Sequence, residues 1–211
     1  MNYEKYIDHT LLRSDATLDD IYMLCKEAKE HHFKSVCINP CFIPFAKELL
    51  TDSDVLICTV IGFPLGANLT KNKIDEAKLA IVSGADEIDM VMNIGMFKSG
   101  QYHYVEEEIN LIRQATLGHT LKVIIETCLL TDEEKVKAAT IVKDSGADFV
   151  KTSTGFSKGG ATVEDVRLLR ETVGDAIGVK ASGGIRTHED LIKMIEAGAS
   201  RIGTSNGTKI I

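Results

Sequence analysis

No window of this chain approaches the ~18 uninterrupted apolar residues that a membrane-spanning helix requires. A secretory signal is missing as well, because the opening MNYEKYIDHT carries acids where such a segment needs cations and lacks an apolar stretch behind them. There is no basic block. The 24 Lys and Arg are outnumbered by 31 Asp and Glu, the net charge is −7, and charge is spread along the chain, which argues against a general nucleic-acid surface. An anionic ligand would therefore need a local basic pocket. The five cysteines (25, 37, 41, 58 and 128) are odd in number and form no CxxC, so reduced thiols are expected. Cys37 and Cys41 stand four apart, but Pro40 lies between them and no further His/Cys pair completes a ligand set, so no metal is expected. These absences together predict a cytoplasmic protein without membrane, nucleic-acid or metal partners.

What is present is an ordinary globular composition, 44% hydrophobic and 26% charged, in a chain of 211 residues. That length suffices for one large domain, residues 1–211, with a substantial core. Val- and Ile-rich runs predict strands at Lys5–His9, Phe33–Asn39, Val55–Gly62, Glu87–Asn93, Leu121–Thr127, Asp148–Thr152, Ile177–Ala181 and Arg201–Gly203. Amphipathic stretches between them predict helices at Leu18–His31, Pro44–Leu50, Lys71–Ser83, Tyr104–Leu117, Asp132–Ser145, Val163–Thr172 and His188–Ala197, with start signals such as Thr131-Asp132-Glu133-Glu134. The phrases SGADEIDMV, SGADFVKTS and AGASRIGTS each end a helix on a glycine and open a strand. Eight strands that read as buried apolar runs, alternating with helices, predict a closed parallel (β/α)8 barrel; an open doubly wound sheet is the alternative.

A barrel of this kind places its active site at the C-terminal ends of the strands. The polar residues read as closing those strands are Asp8, Asn39, Asp89 with Asn93, Glu126, Lys151 and Lys180. Lysines on neighbouring strands lose hydration and repel one another, so one of them can become a neutral amine able to attack a carbonyl. The plainer alternative is that each lysine snorkels to solvent. Asp89 stands in the otherwise apolar EIDMV, where a carboxylate must be paired. It is either a structural ion-pair partner or an acid that orients Lys180 and moves protons. ASGGIRT (181–187) and RIGTSNG (201–207) are glycine-rich loops after the last two strands, the usual phosphate cradle of such barrels, with Arg186 adding charge; read plainly, they are turns. IGFPLG (61–66) reads as a tight loop shaping the mouth, His9 as a rim residue, His31-His32 as solvated, and Glu106-Glu107-Glu108 as an exposed helical face.

The blocks IDHTLL, VCINP, TVIGFPLG, GADEIDMVMNIG, LKVIIET, GADFVKTSTGF, VKASGGIR and RIGTS, in this order over the whole chain, resemble the deoxyribose-phosphate aldolase family in its short bacterial form. The resemblance implies a cofactor-free, metal-independent class I aldolase that cleaves 2-deoxy-D-ribose 5-phosphate to D-glyceraldehyde 3-phosphate and acetaldehyde. It makes Lys151 the Schiff-base nucleophile, Lys180 the neighbouring cation, Asp89 the acid of the proton relay and Asp8 the acid that holds that relay. It assigns phosphate to Gly155, Gly183, Gly184, Gly203 and Ser205, with Arg186 as a further contributor. Some relatives have a lysine directly after STG, where this chain has Phe156, which leaves open whether Lys158 touches phosphate. Members commonly form dimers or tetramers. Another Schiff-base aldolase or transaldolase, and a sugar-phosphate-binding barrel without covalent chemistry, are the rival readings.

Overall fold

The computed structural model describes residues 2–211. Eight parallel strands close into a barrel in sequence order: β1 (Ile7–Leu11), β2 (Ser35–Ile38), β3 (Leu56–Ile61), β4 (Glu87–Val91), β5 (Thr120–Ile124), β6 (Phe149–Lys151), β7 (Gly178–Ser182) and β8 (Arg201–Thr204), with β1 pairing β8. The helices are α1 (Leu18–Glu30), α2 (Ile43–Leu49), α3 (Thr70–Ser83), α4 (Ile94–Lys98), α5 (Tyr102–Ala115), α6 (Asp132–Asp144), α7 (Val163–Val173), α8 (His188–Glu196) and α9 (Gly207–Ile210). The predicted barrel is the fold, and the open doubly wound alternative is excluded by closure. None of the helices among the described residues is long and apolar enough to cross a membrane.

Local chemistry sets the element ends. The side chains of Thr17, Thr131 and Thr187 each accept a hydrogen bond from the backbone N–H three residues on, and the acid at that position accepts one from the threonine's own backbone N–H, so α1, α6 and α8 start on reciprocal caps. Gly84 ends α3 at φ +115°, a conformation that a Cβ would strain. Lys5 and Tyr6 belong to a 3-10 turn, not to the first strand, which begins at Ile7 and runs on to Leu11. Helix α4 has no counterpart in the sequence reading because five residues are too few to show a helical period. Asn93, read as part of a strand, instead caps α4 through its Oδ1.

The expectation that the strands are apolar on both faces needs correction. Their outward residues, among them Val36, Ile57, Ile88, Met90, Leu121, Val123, Val150, Val179 and Ile202, do form the main core against the helices. The alternate positions face the barrel axis and include Asp8, Ser35, Cys37, Cys58, Glu87, Asp89, Lys122, Lys151, Lys180 and Arg201, every one of them buried. Phe149 plugs the N-terminal end, in space that Gly178 leaves by having no side chain, and Arg201 stacks over its ring at 5.7 Å.

Three peripheral expectations change with burial. Glu108 is not on an exposed face: it pairs with buried Lys73 of α3 at 2.8 Å, while Glu107 is exposed and Glu106 half-buried. His9 is not at the rim. It alternates with Asp8 and so points outward, 2.7 Å from Glu27 of α1 and packed on Phe33. His31 is half-buried and stacked on Phe33 at 5.4 Å, whereas His32 is exposed as expected.

Candidate active site

Asp89 is the hub of the barrel interior. Its Oδ2 accepts hydrogen bonds from Lys151 Nζ and Lys180 Nζ, both at 2.7 Å, and its Oδ1 accepts from Lys122 Nζ at 2.9 Å and from the Cys58 thiol at 3.1 Å. Asp8 stands below, with Lys180 Nζ 2.5 Å from its Oδ2 and Arg201 Nη2 2.6 Å from its Oδ1. Ser35 donates a further bond to Asp8, and Glu87 closes the network by accepting from Lys122 at 2.6 Å and from Arg201 at 2.5 Å. Burial opposes charge on Asp8, Asp89, Lys122, Lys180 and Arg201, and their charged neighbours outweigh it. For Asp89, the ammonium groups of Lys122, Lys151 and Lys180 hold the carboxyl well below the usual carboxylate range. Asp8 is held down chiefly by Arg201 and Lys180. Conversely, Asp8 and Asp89 lift Lys180 above the ordinary lysine range, and Asp89 does the same for Lys122.

This pairing fixes a pH dependence. The depressed carboxyls of Asp8 and Asp89 contribute stability that is present above the unfolded carboxylate value of ~3.9 and is lost as pH falls through their lower folded values. Lys122 and Lys180, raised in the fold, contribute stability that is present below ~10.4 and is lost as pH rises through their higher folded values. His9 behaves differently, because burial lowers it despite Glu27, so its contribution begins to fall below ~6.5. The urea midpoint measured against pH should therefore drop in two stages on acidification, a shallow one below ~6.5 and a steep one below ~4, with a plateau up to ~10. A midpoint flat down to pH 3 would contradict the assignment.

Of the sequence candidates, only Lys151 ends its strand and reaches the mouth. Asp8 is the second residue of β1, Asp89 sits mid-β4 and Lys180 mid-β7, and all three are fully buried. The expectation that both lysines project into one mouth is thus corrected: Lys180 is the register partner of Lys151 on the next strand, but it is fully buried, does not line the cavity and meets Lys151 through Asp89. Gly203 permits this arrangement, since a Cβ there would stand 3.2 Å from Lys180 Cε.

Above Lys151 lies a cavity of about 340 Å³, bounded by the loops after β1, β6, β7 and β8. Gly155, Gly183, Gly184, Arg186, Gly203 and Ser205 all line it. No carboxylate does, and its charged side chains are Arg13, Lys151 and Arg186, which suits an anion in a protein whose overall charge is negative. Lys158 is exposed and outside the lining. The loop 62–66 closes through Gly66 N–H to Gly62 O and brings Phe63 edge-on to the cavity residue Phe156 at 5.2 Å, so it shapes the mouth at one remove.

Sequence reasoning missed Lys122, Glu87, Arg201, Ser35 and Cys58. Their signal was the one used for Asp89: a polar residue in phase with the inward positions of an otherwise apolar strand. Cys37, Cys58 and Asp89 bring three possible ligand atoms within 4.8 Å of one another. Asp89, however, is already held by three ammonium groups, which makes this a poor site for a cation.

The DeoC/LacD family aldolase model matches residues 4–210. A deoxyribose-phosphate aldolase of Staphylococcus carnosus is 62% identical over 211 residues, covering all of this chain and 96% of its own. One from Caldanaerobacter subterraneus is 59% identical over 214 residues, covering all of this chain and 93% of its own. Among solved structures, the aldolase QR15 superposes with a TM-score of 0.95 at 45% identity, over 99% of this chain and 93% of that one. The tetrameric deoxyribose phosphate aldolase of Aeropyrum pernix gives 0.89 at 34% identity, over 99% and 88%. With a family match across nearly the entire length and the buried lysine and carboxylate network beneath an anion-suited mouth, the chain belongs to the DeoC/LacD family of aldolases.

Proposed function

We propose that this protein is a deoxyribose-phosphate aldolase that reversibly cleaves 2-deoxy-D-ribose 5-phosphate to D-glyceraldehyde 3-phosphate and acetaldehyde through a Schiff base on Lys151. One observation carries the mechanism: among the four buried cations of the interior, Lys151 has a single carboxylate partner and alone opens to the cavity. The interior holds four cations (Lys122, Lys151, Lys180 and Arg201) against three carboxylates (Asp8, Glu87 and Asp89). The neutral amine of Lys151 is the nucleophile.

Lys151 Nζ attacks the aldehyde carbon of the open-chain sugar, and loss of water gives an iminium ion. The hydroxyl on C3 gives up its proton, the C2–C3 bond breaks, and its electron pair passes into the iminium as an enamine, releasing glyceraldehyde 3-phosphate. Protonation of the enamine carbon and hydrolysis return acetaldehyde and the free amine. Asp89 Oδ2, in contact with both Nζ atoms, is the route by which a proton passes between Lys180 and Lys151. Asp8 holds Lys180 in place from below. The cavity glycines and Ser205 present backbone donors, and Arg186 a cation, to the 5-phosphate.

Borohydride reduction in the presence of 2-deoxyribose 5-phosphate, followed by peptide mass mapping, tests this. The expected product is a reduced adduct on Lys151. An adduct on another lysine would overturn the assignment, and none at all would leave a sugar-phosphate-binding barrel without covalent chemistry. We further take the protein to be a cytoplasmic homo-oligomer, dimer or tetramer. The tetrameric relative, the exposed Leu79 and Val82 on α3, and five unpaired cysteines support that reading.

A further inference from the structure

The geometry points to Glu126 as the positioning residue of the phosphate-facing loop that follows Lys151: its buried carboxylate holds Thr154, and through it Gly155, at the cavity wall. The inference rests on the function proposed above and starts from an irregularity in the backbone. Ile125 N–H donates to Lys151 O at 3.0 Å, and Thr127 N–H donates to Thr152 O at 2.9 Å. The chain after β5 thus advances two residues while the chain after β6 advances one, which is the count of a β-bulge. Glu126 is the extra residue. It sits at φ +54°, ψ +66°, the left-handed region that a non-glycine residue occupies at a cost.

That conformation turns the Glu126 side chain across to the neighbouring loop. Its Oε1 accepts from Thr154 N–H at 3.2 Å, and its Oε2 accepts from the Thr154 hydroxyl at 2.5 Å. The Thr154 hydroxyl in turn accepts from Phe156 N–H at 3.0 Å. With the N–H groups of Thr154 and Phe156 both engaged, Gly155 is the backbone donor this turn offers to the cavity, and its φ of +84° keeps the peptide in that orientation. Glu126 itself is buried and does not line the cavity, so it acts through Thr154 and not on the substrate. A glycine would satisfy the backbone at this position at no steric cost. A glutamate there needs a reason, and the clamp on Thr154 supplies one.

The test compares the wild type with Glu126→Gln and Glu126→Gly in steady-state cleavage of 2-deoxyribose 5-phosphate and of unphosphorylated 2-deoxyribose, with thermal unfolding alongside. Glu126→Gln offers one carbonyl oxygen to two donors. Glu126→Gly relieves the left-handed backbone while deleting the carboxylate, so it separates folding from positioning. Both are expected to raise KM for the phosphorylated sugar about tenfold with kcat within about threefold, and to leave kcat/KM for the unphosphorylated sugar within about threefold. Unchanged KM in the two Glu126 variants, or an equal loss of kcat/KM on both sugars, would overturn the inference while leaving the proposed function intact. A wild type that cleaves neither sugar would instead overturn the proposed function.

Discussion

Replacing Lys151 with methionine is expected to abolish cleavage of 2-deoxyribose 5-phosphate, lowering kcat by roughly four orders of magnitude or more, and to leave the protein at least as stable as the wild type. The loss of activity follows from the chemistry, since no other amine reaches the cavity. The stability result follows from charge. Lys151 is the surplus cation of the buried network, and Asp89 keeps Lys122 and Lys180 after its removal. A methionine of similar length fills the same space without desolvating an ammonium group. Thermal unfolding and turnover measured on one preparation check both halves. A large fall in Tm would show that Lys151 belongs to the structural frame and not only to the chemistry.

Asp89→Asn should behave in the opposite way. It leaves Lys122, Lys151 and Lys180 around a neutral amide in a fully buried site. Removing one partner of a buried ion pair costs about 3–5 kcal/mol, a large part of the roughly 5–15 kcal/mol that holds a typical domain. For a chain of this size that corresponds to a fall in Tm of about 10 °C. Turnover should fall as well, by about a hundredfold or more, because the shared oxygen that links Lys180 to Lys151 is lost. Adding Lys122→Met to Asp89→Asn leaves three cations against two carboxylates, the same surplus of one cation as in the wild type, and should recover part of the Tm but none of the activity. A double variant no more stable than the single one would show that the penalty arises from lost hydrogen bonds and not from unbalanced charge.

The contrast between these two variants shows where sequence reading was strong. Lys151 and Asp89 were both legible as polar residues in apolar strands, and Gly183 and Gly184 of SGGIR as loop formers, whereas Gly203 of RIGTS, read as part of a loop after the last strand, lies within β8. The same rule would have caught Lys122 and Glu87, which lie in LKVII and DEIDM. They escaped because they precede the strand ends on which attention falls in a barrel. Glu108 escaped for a different reason. Three consecutive glutamates look like a solvated face, and only the docking of α5 on α3 brings one of them against Lys73. Glu126 was visible as a strand-closing acid, but its left-handed backbone and its grip on Thr154 were not.

The sequence by itself determined the barrel, since the alternation of strand runs with capped helices and the glycine that ends each repeat are local properties, written within a few residues of where they act. It also determined that a lysine stands at the end of β6, because a lysine closing an apolar strand needs no distant partner to be noticed. The tertiary structure alone decided how that amine is served. Asp8, Asp89, Lys180 and Arg201 come from strands far apart in the chain, and they meet only because closure pairs β8 with β1 and brings the inward positions of eight strands onto one axis. Charge balance in a buried volume is a sum over everything inside it, and no single segment of sequence contains that sum.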